Sequence, residues 1–256
     1  MDSQSSANPA RCEGHGFYAD CLSLLEESKI PYLLAGSYAV YVHTGLERDS
    51  KDLDIFCKAG DYPRILTYFQ RSGYETEVED ERWIAKIKRD PWFADVIFSS
   101  TSAVAPVTDR WFEEVCAAHL YGVEVRVVPP TELVWSKLFV QDRYRYDGAD
   151  VAHVILRQLE RIDWRRLLEY ADQHWEVLLA HLINFRFIYP SERHRIPSWL
   201  LDELLERLRQ QAELPEPRTR VCRGRHFSRS DYLVDITEWG FADIVGAADE
   251  AHGRDS

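Results

Sequence analysis

The segment FYADCLSLLEESKI sets apolar residues at Phe17, Cys21, Leu24 and Leu25, a helical spacing that Pro31 closes. YLLAG predicts a buried strand running into a Gly-Ser turn, followed by a short helix through Ala39 and Val42, and DLDIFCK is the second strand. DYPRILTYFQRSG reads as a helix with Pro63 near its start and Gly73 at its stop. YETEVE, RWIAKIK and WFADVIFSS then alternate apolar and polar positions as sheet strands do, and VEVRVVP adds another strand after a helix expected around DRWFEEVC. Beyond Pro130 the period changes. Leu133, Lys137 and Leu138, then Val151, Val154, Ile155 and Leu159, then Leu201, Leu204, Leu205 and Leu208 follow the i, i+3, i+4 rule. The pattern predicts an α/β (α+β) domain with one mixed sheet over residues 15–130 and a mainly α-helical domain over residues 131–246. Residues 1–14 and 247–256 are small and polar, and are expected to be disordered tails.

With 31 Lys and Arg against 43 Asp and Glu, the net charge of −12 disfavours a protein that coats nucleic acid through phosphate contacts. The five cysteines (Cys12, Cys21, Cys57, Cys116 and Cys222) form no CxxC pair and no zinc-ligand cluster, so reduced cytoplasmic thiols are expected. The N-terminus lacks the apolar stretch of a signal peptide. No run reaches the roughly 18 apolar residues of a membrane span. A soluble, cytoplasmic protein is the expectation. The eight tryptophans read mostly as core, and RTRVCRGRHFSRSDY, with Arg218, Arg220, Arg223, Arg225 and Arg229, reads as a solvated loop pairing with acidic neighbours.

Chemistry enters with the acids of LLAGSYAVYVHTGLERDSKDLDIF. In a strand, Asp52 and Asp54 project from one face while Leu53 and Ile55 point to the other. Asp95 interrupts the apolar strand WFADVIFSS. If the two strands are neighbours, three carboxylates converge, and such a cluster needs raised pKa values or a divalent cation. Taken singly, Asp52 also fits a helix or turn cap and Asp95 an edge-strand position facing solvent. Upstream, Gly36-Ser37 opens a helix whose N–H groups, hydroxyl and dipole suit a phosphate. A phosphate cradle and a metal-binding acid pair on successive elements of one sheet are what nucleotidyl transfer requires.

The same stretch resembles the signature of the nucleotidyltransferase superfamily with the polymerase-beta-like fold: an apolar strand, Gly-Ser, a spacer, then Asp-apolar-Asp. RDSKDLDIF is especially similar to the Arg-x-Thr-x-Asp-apolar-Asp form of minimal and abortive-infection-type nucleotidyltransferases, matched by Arg48, Asp52 and Asp54 with Ser50 in place of Thr. The spacer from Ser37 to Asp52 is slightly longer than is usual there. The resemblance makes residues 15–130 the catalytic domain. It implies Asp52, Asp54 and Asp95 as catalytic and metal-binding residues for Mg²⁺ or Mn²⁺. Gly36, Ser37, Arg48, Ser50 and Lys137 are implied as nucleotide-binding, with Lys137 on phosphate and Asp147 or Asp150 near the pocket, while Asp49 falls outside the pattern and is read as solvated.

The expected activity is metal-dependent transfer of NMP, AMP foremost, from an NTP to a hydroxyl or phosphate acceptor with release of pyrophosphate. The acceptor stays open between small molecule, tRNA and protein. A second reading is a non-catalytic nucleotide-binding module of the same fold, a toxin–antitoxin or regulatory component with a protein partner. A third is a phosphohydrolase using the same carboxylates.

Overall fold

The computed structural model describes residues 9–48, 50, 52–100 and 103–245. The chain forms two compact units, divided after Leu133. The first opens with α1 (Pro9–Ser28), then β1 (Leu33–Leu34), α2 (Gly36–Thr44), β2 (Leu53–Phe56), α3 (Tyr62–Arg71), β3 (Glu75–Asp80), β4 (Ile84–Arg89), β5 (Trp92–Ile97), β6 (Cys116–Leu120) and β7 (Val123–Val127). The seven strands make one mixed sheet in the order β3-β4-β5-β2-β1-β7-β6. The pairs β2–β5 and β1–β7 are parallel and the other neighbours antiparallel.

The core of this unit follows the apolar pattern. Phe17, Tyr18, Cys21, Leu22 and Leu25 of α1 are buried, as are Leu33, Leu34, Leu53, Ile55, Ala94 and Val96 of the central strands. Each fully buried Leu or Ile contributes about 1.5–3 kcal/mol by leaving water. α1 takes in Pro9–Gly14 of the stretch expected to be a tail.

Two local expectations are corrected. The helix expected around DRWFEEVC is only a single 3₁₀ turn, Asp109–Phe112, and Cys116 begins β6. β6 pairs antiparallel with β7 through a tight turn in which Tyr121 and Gly122 both have positive φ, 51° and 82°. Sheet pairing, invisible to a local helical period, decides this segment. The tryptophans are also less buried than expected: Trp111, Trp135 and Trp164 are core, whereas Trp199 and Trp239 are exposed. Trp199 instead carries the Arg165 guanidinium 4.8 Å from its ring centre.

The helix α4 (Pro130–Lys137) leads from one unit into the other. The second unit holds α5 (Gly148–Gln158), α6 (Trp164–Tyr170), α7 (Trp175–Ile188), α8 (Ser198–Glu213), a two-residue parallel pair β8 (Val221–Cys222) and β9 (Ala242–Asp243), and α9 (Leu233–Thr237). α5 packs on α7 and α7 on α8, burying Val151, Val154, Ile155, Leu178, Leu182, Phe185, Leu200 and Leu204. The buried stripe of α8 runs through Leu200 and Leu204, so Leu205 and Leu208 of the expected stripe stay exposed. The Arg-rich segment is held within its own unit. Arg225 is buried against Asp243, Arg223 reaches Glu176 at 3.8 Å, and Arg220 stacks 4.1 Å from the Phe241 ring centre.

A buried ionic cluster joins α4 to α5: Lys137 Nζ stands 2.5 Å from Asp147 Oδ2 and 2.9 Å from Asp150 Oδ2, and Arg145 Nε donates to Asp147 at 3.0 Å. Burial pushes the Asp147 carboxyl up, but Lys137 and Arg145 outweigh it and hold it below the ordinary range. This lowered value stabilises the fold above the ordinary carboxylate range, and the contribution is lost as pH falls through it. Removing the lysine takes away the cation that two buried carboxylates share. Lys137→Met is therefore expected to cost about 3 kcal/mol at pH 7 by denaturant unfolding, a deficit that shrinks below about pH 4 as the acids protonate.

Candidate active site

β2 and β5 run parallel with Asp54 directly opposite Asp95, so both side chains leave the same face of the sheet. Asp52, two residues before Asp54, shares that face. One carboxylate oxygen each from Asp52, Asp54 and Asp95 lies within 4.8 Å of the others. On the opposite face Leu53 and Ile55 are fully buried, which anchors the acid-bearing strand.

The turn before α2 is built around this cluster. Gly36 has φ 56°, and a Cβ placed on it would stand 1.7 Å from Asp54 Oδ2. Only glycine fits, for its backbone and for the carboxylate lying over it. The Ala35 N–H donates to the Asp54 carbonyl at 2.9 Å, tying the helix start to the acid strand. Ala35 makes no side-chain cap, so the first turn of α2 receives no acceptor from its cap residue. Ser37 Oγ donates to Ser50 Oγ at 2.8 Å, and Ser50 Oγ donates to Asp52 Oδ1 at 3.0 Å. A short hydroxyl chain thus links the helix start to the first acid.

The electrostatics point to a cation. Burial, followed by Asp54, pushes the Asp95 carboxyl up to about 7; Lys86 opposes this, and Asp52 and Glu79 add to it. Asp95 Oδ1 is a buried oxygen that accepts no hydrogen bond among the described residues. Three carboxylates, one with an unsatisfied buried oxygen, are a hard-oxygen donor set that fits Mg²⁺ or Mn²⁺. Nearby, burial and then the charge of Asp52 push the Tyr18 phenol up to about 12. Burial and a 2.7 Å hydroxyl contact with Tyr121 also raise Tyr38.

Of the residues singled out from sequence, Gly36, Ser37, Ser50, Asp52, Asp54 and Asp95 meet in one place. Arg48 is exposed beyond α2. Lys137 belongs to the second unit, where its ammonium is engaged by Asp147 and Asp150. Asp49 lies outside the described residues. Tyr18, Tyr38, Lys86 and Glu79 went unnoticed in the sequence. Tyr38 follows Ser37 directly, whereas the other three are brought near by α1 packing and by strand order.

The first unit has a nucleotidyltransferase-type fold, with a Gly-Ser helix start facing an Asp-x-Asp strand and a third Asp on the parallel neighbour. Residues 19–97 match the family described as aminoglycoside-2''-adenylyltransferase. Among solved structures, the chain is similar to an antigenic nucleotidyltransferase-like protein from Paracoccidioides brasiliensis, with 17% identity and a TM-score of 0.50 over 72% of this chain and 92% of that one. It is also similar to the lincosamide antibiotic adenylyltransferase LnuA in its lincomycin-bound form (19% identity, TM-score 0.39, 56% of this chain and 95% of that one). A third similar structure is the antibiotic-resistance factor ANT(2'')-Ia (12% identity, TM-score 0.44, 72% of this chain and 96% of that one). No curated protein matches the chain.

Two outcomes follow from this geometry. Gly36→Ala forces the Asp54 carboxylate aside, so Mn²⁺ affinity measured by calorimetry should fall at least about tenfold. Because the folded value of Asp95 lies above its ordinary one, the stability tied to its proton is full below the ordinary carboxylate range and is lost as pH rises through about 7. Asp95→Asn should therefore stabilise the metal-free protein by about 2 kcal/mol at pH 8, with the gain opening between about pH 4 and 7 in thermal melts.

Proposed function

We propose that the chain transfers AMP from ATP to a hydroxyl of a small cationic acceptor of the aminoglycoside type, with Asp52, Asp54 and Asp95 holding Mg²⁺ or Mn²⁺ and pyrophosphate leaving. The observation that carries this reading is the Asp54 carboxylate packed on the bare Gly36, which sets the metal-ligand acids against a helix start suited to phosphate. Ser37 offers its hydroxyl to the same anion, and its present partner Ser50 remains bonded to Asp52 when Ser37 turns away. Asp95, whose buried Oδ1 accepts no hydrogen bond among the described residues, is the group proposed to take the proton of the acceptor hydroxyl. A bound cation would supply charge neutralisation for the triphosphate and polarise the α-phosphate.

Adenylyl as the transferred group is supported by the family match over residues 19–97. A cationic small acceptor, rather than tRNA, suits a chain of net charge −12, which attracts polyamines and repels nucleic acid. All three acids are present and brought together, which favours catalysis over a non-catalytic nucleotide-binding module.

The test is incubation with α-labelled ATP and Mg²⁺ against a panel of aminoglycosides, other hydroxylated antibiotics and bulk tRNA, followed by pyrophosphate release and label transfer. At least one cationic small molecule should become labelled, and Asp52→Asn and Asp54→Asn should each lower the rate by at least about a hundredfold. Labelling no stronger than in the Asp52→Asn/Asp54→Asn double variant for every acceptor would sink the reading.

A further inference from the structure

The sheet face that carries the acids continues past them. Lys86 of β4 lies directly opposite Asp95 of β5, so its side chain rises from the same face. Its direct neighbour on the other side is Glu77 of β3, but Glu77 bonds Lys88 instead. The Lys86 ammonium goes to Glu79, 2.6 Å away, and lies 4.7 Å over the Phe93 ring. It stands 4.0 Å from Asp95 Oδ1, the buried oxygen that accepts no hydrogen bond.

Glu79 is not placed there by regular pairing. The β3–β4 register runs Val78 opposite Ala85 and then Asp80 opposite Ile84, which leaves Glu79 as the extra residue of a bulge. A bulge re-aims the side chain it carries. Here a distortion in an outer strand supplies the carboxylate that takes Lys86.

A lysine on a flexible four-carbon stem, 2.6 Å from one carboxylate and 4.0 Å from another, can reach either. Against Glu79 it leaves Asp95 Oδ1 open. Swung onto Asp95, it would occupy that oxygen and offset its charge, which competes directly with a divalent cation.

We propose that Glu79 and Lys86 are a positioning pair for the third metal-ligand carboxylate: the bulged Glu79 holds the Lys86 ammonium off Asp95 and so keeps that oxygen available to the cation. The inference rests on the metal site proposed above. Lys86 acts through Asp95 and Glu79 acts through Lys86.

The test is a Mn²⁺ titration of the full chain, followed by the electron paramagnetic resonance signal of the free ion, on wild type and three variants. Glu79→Gln releases the lysine onto Asp95 and should weaken Mn²⁺ binding about threefold to tenfold, while Lys86→Met removes the competing cation and should tighten it by a similar factor. The double variant Lys86→Met/Glu79→Gln should match Lys86→Met, because the holder then has nothing to hold. Through-space charge alone would make the two single effects add in the double variant. Additivity, or Glu79→Gln binding as tightly as wild type, would overturn the positioning pair while leaving the metal site intact. A wild type that binds no Mn²⁺ would overturn the metal site itself and the pair with it.

Discussion

Three carboxylates held within 4.8 Å of one another repel, and much of the first unit is arranged to tolerate that repulsion. Asp52 accepts from Ser50, and Asp54 lies over a residue that has no side chain to displace it. Asp95 keeps a neutralising proton up to about pH 7, with Lys86 4.0 Å away. Apolar burial on the opposite face, through Leu53, Ile55, Ala94 and Val96, offsets the cost of holding like charges together. Carboxylates gathered in this way carry a repulsion that a divalent cation would relieve on binding.

The sheet order arranges these groups in a row. β1 leads into the Gly36-Ser37 helix start, β2 carries Asp52 at its entrance and Asp54 within it, β5 carries Asp95, β4 Lys86 and β3 Glu79. Running across the strands, one face passes from a helix start through three acids to a lysine paired with a glutamate. Residues in register share a face, so strand alignment brings Asp54, Asp95 and Lys86 together, while the bulge in β3 adds Glu79.

Much of this was legible in the sequence. The change of period near Pro130, the alternation in β3, β4 and β5, and the Gly-Ser to Asp-x-Asp spacing follow from local geometry that any short segment obeys. Local signals failed where a partner strand or a distant contact outweighed them. Cys116 joined β6 because β7 offered an edge, and α8 buried Leu200 and Leu204 while Leu205 and Leu208 stayed exposed. Lys137 shows the same limit. Its helical period and family resemblance were readable, yet its burial between Asp147 and Asp150 was not, because those partners come from the following turn and helix.

By itself, the sequence determined that Asp52 and Asp54 share a strand face, that a flexible Gly-Ser pair opens a helix before them, and that an isolated Asp95 sits in an apolar strand. Period-two alternation and glycine's backbone freedom are properties of the local chain. Only the tertiary structure decided that β5 lies beside β2 in the register that sets Asp95 opposite Asp54. It alone showed that the Asp54 carboxylate needs Gly36 bare and that a bulge turns Glu79 towards Lys86. Strand order and register are set by the summed burial of many side chains across the sheet, and no single segment carries that information.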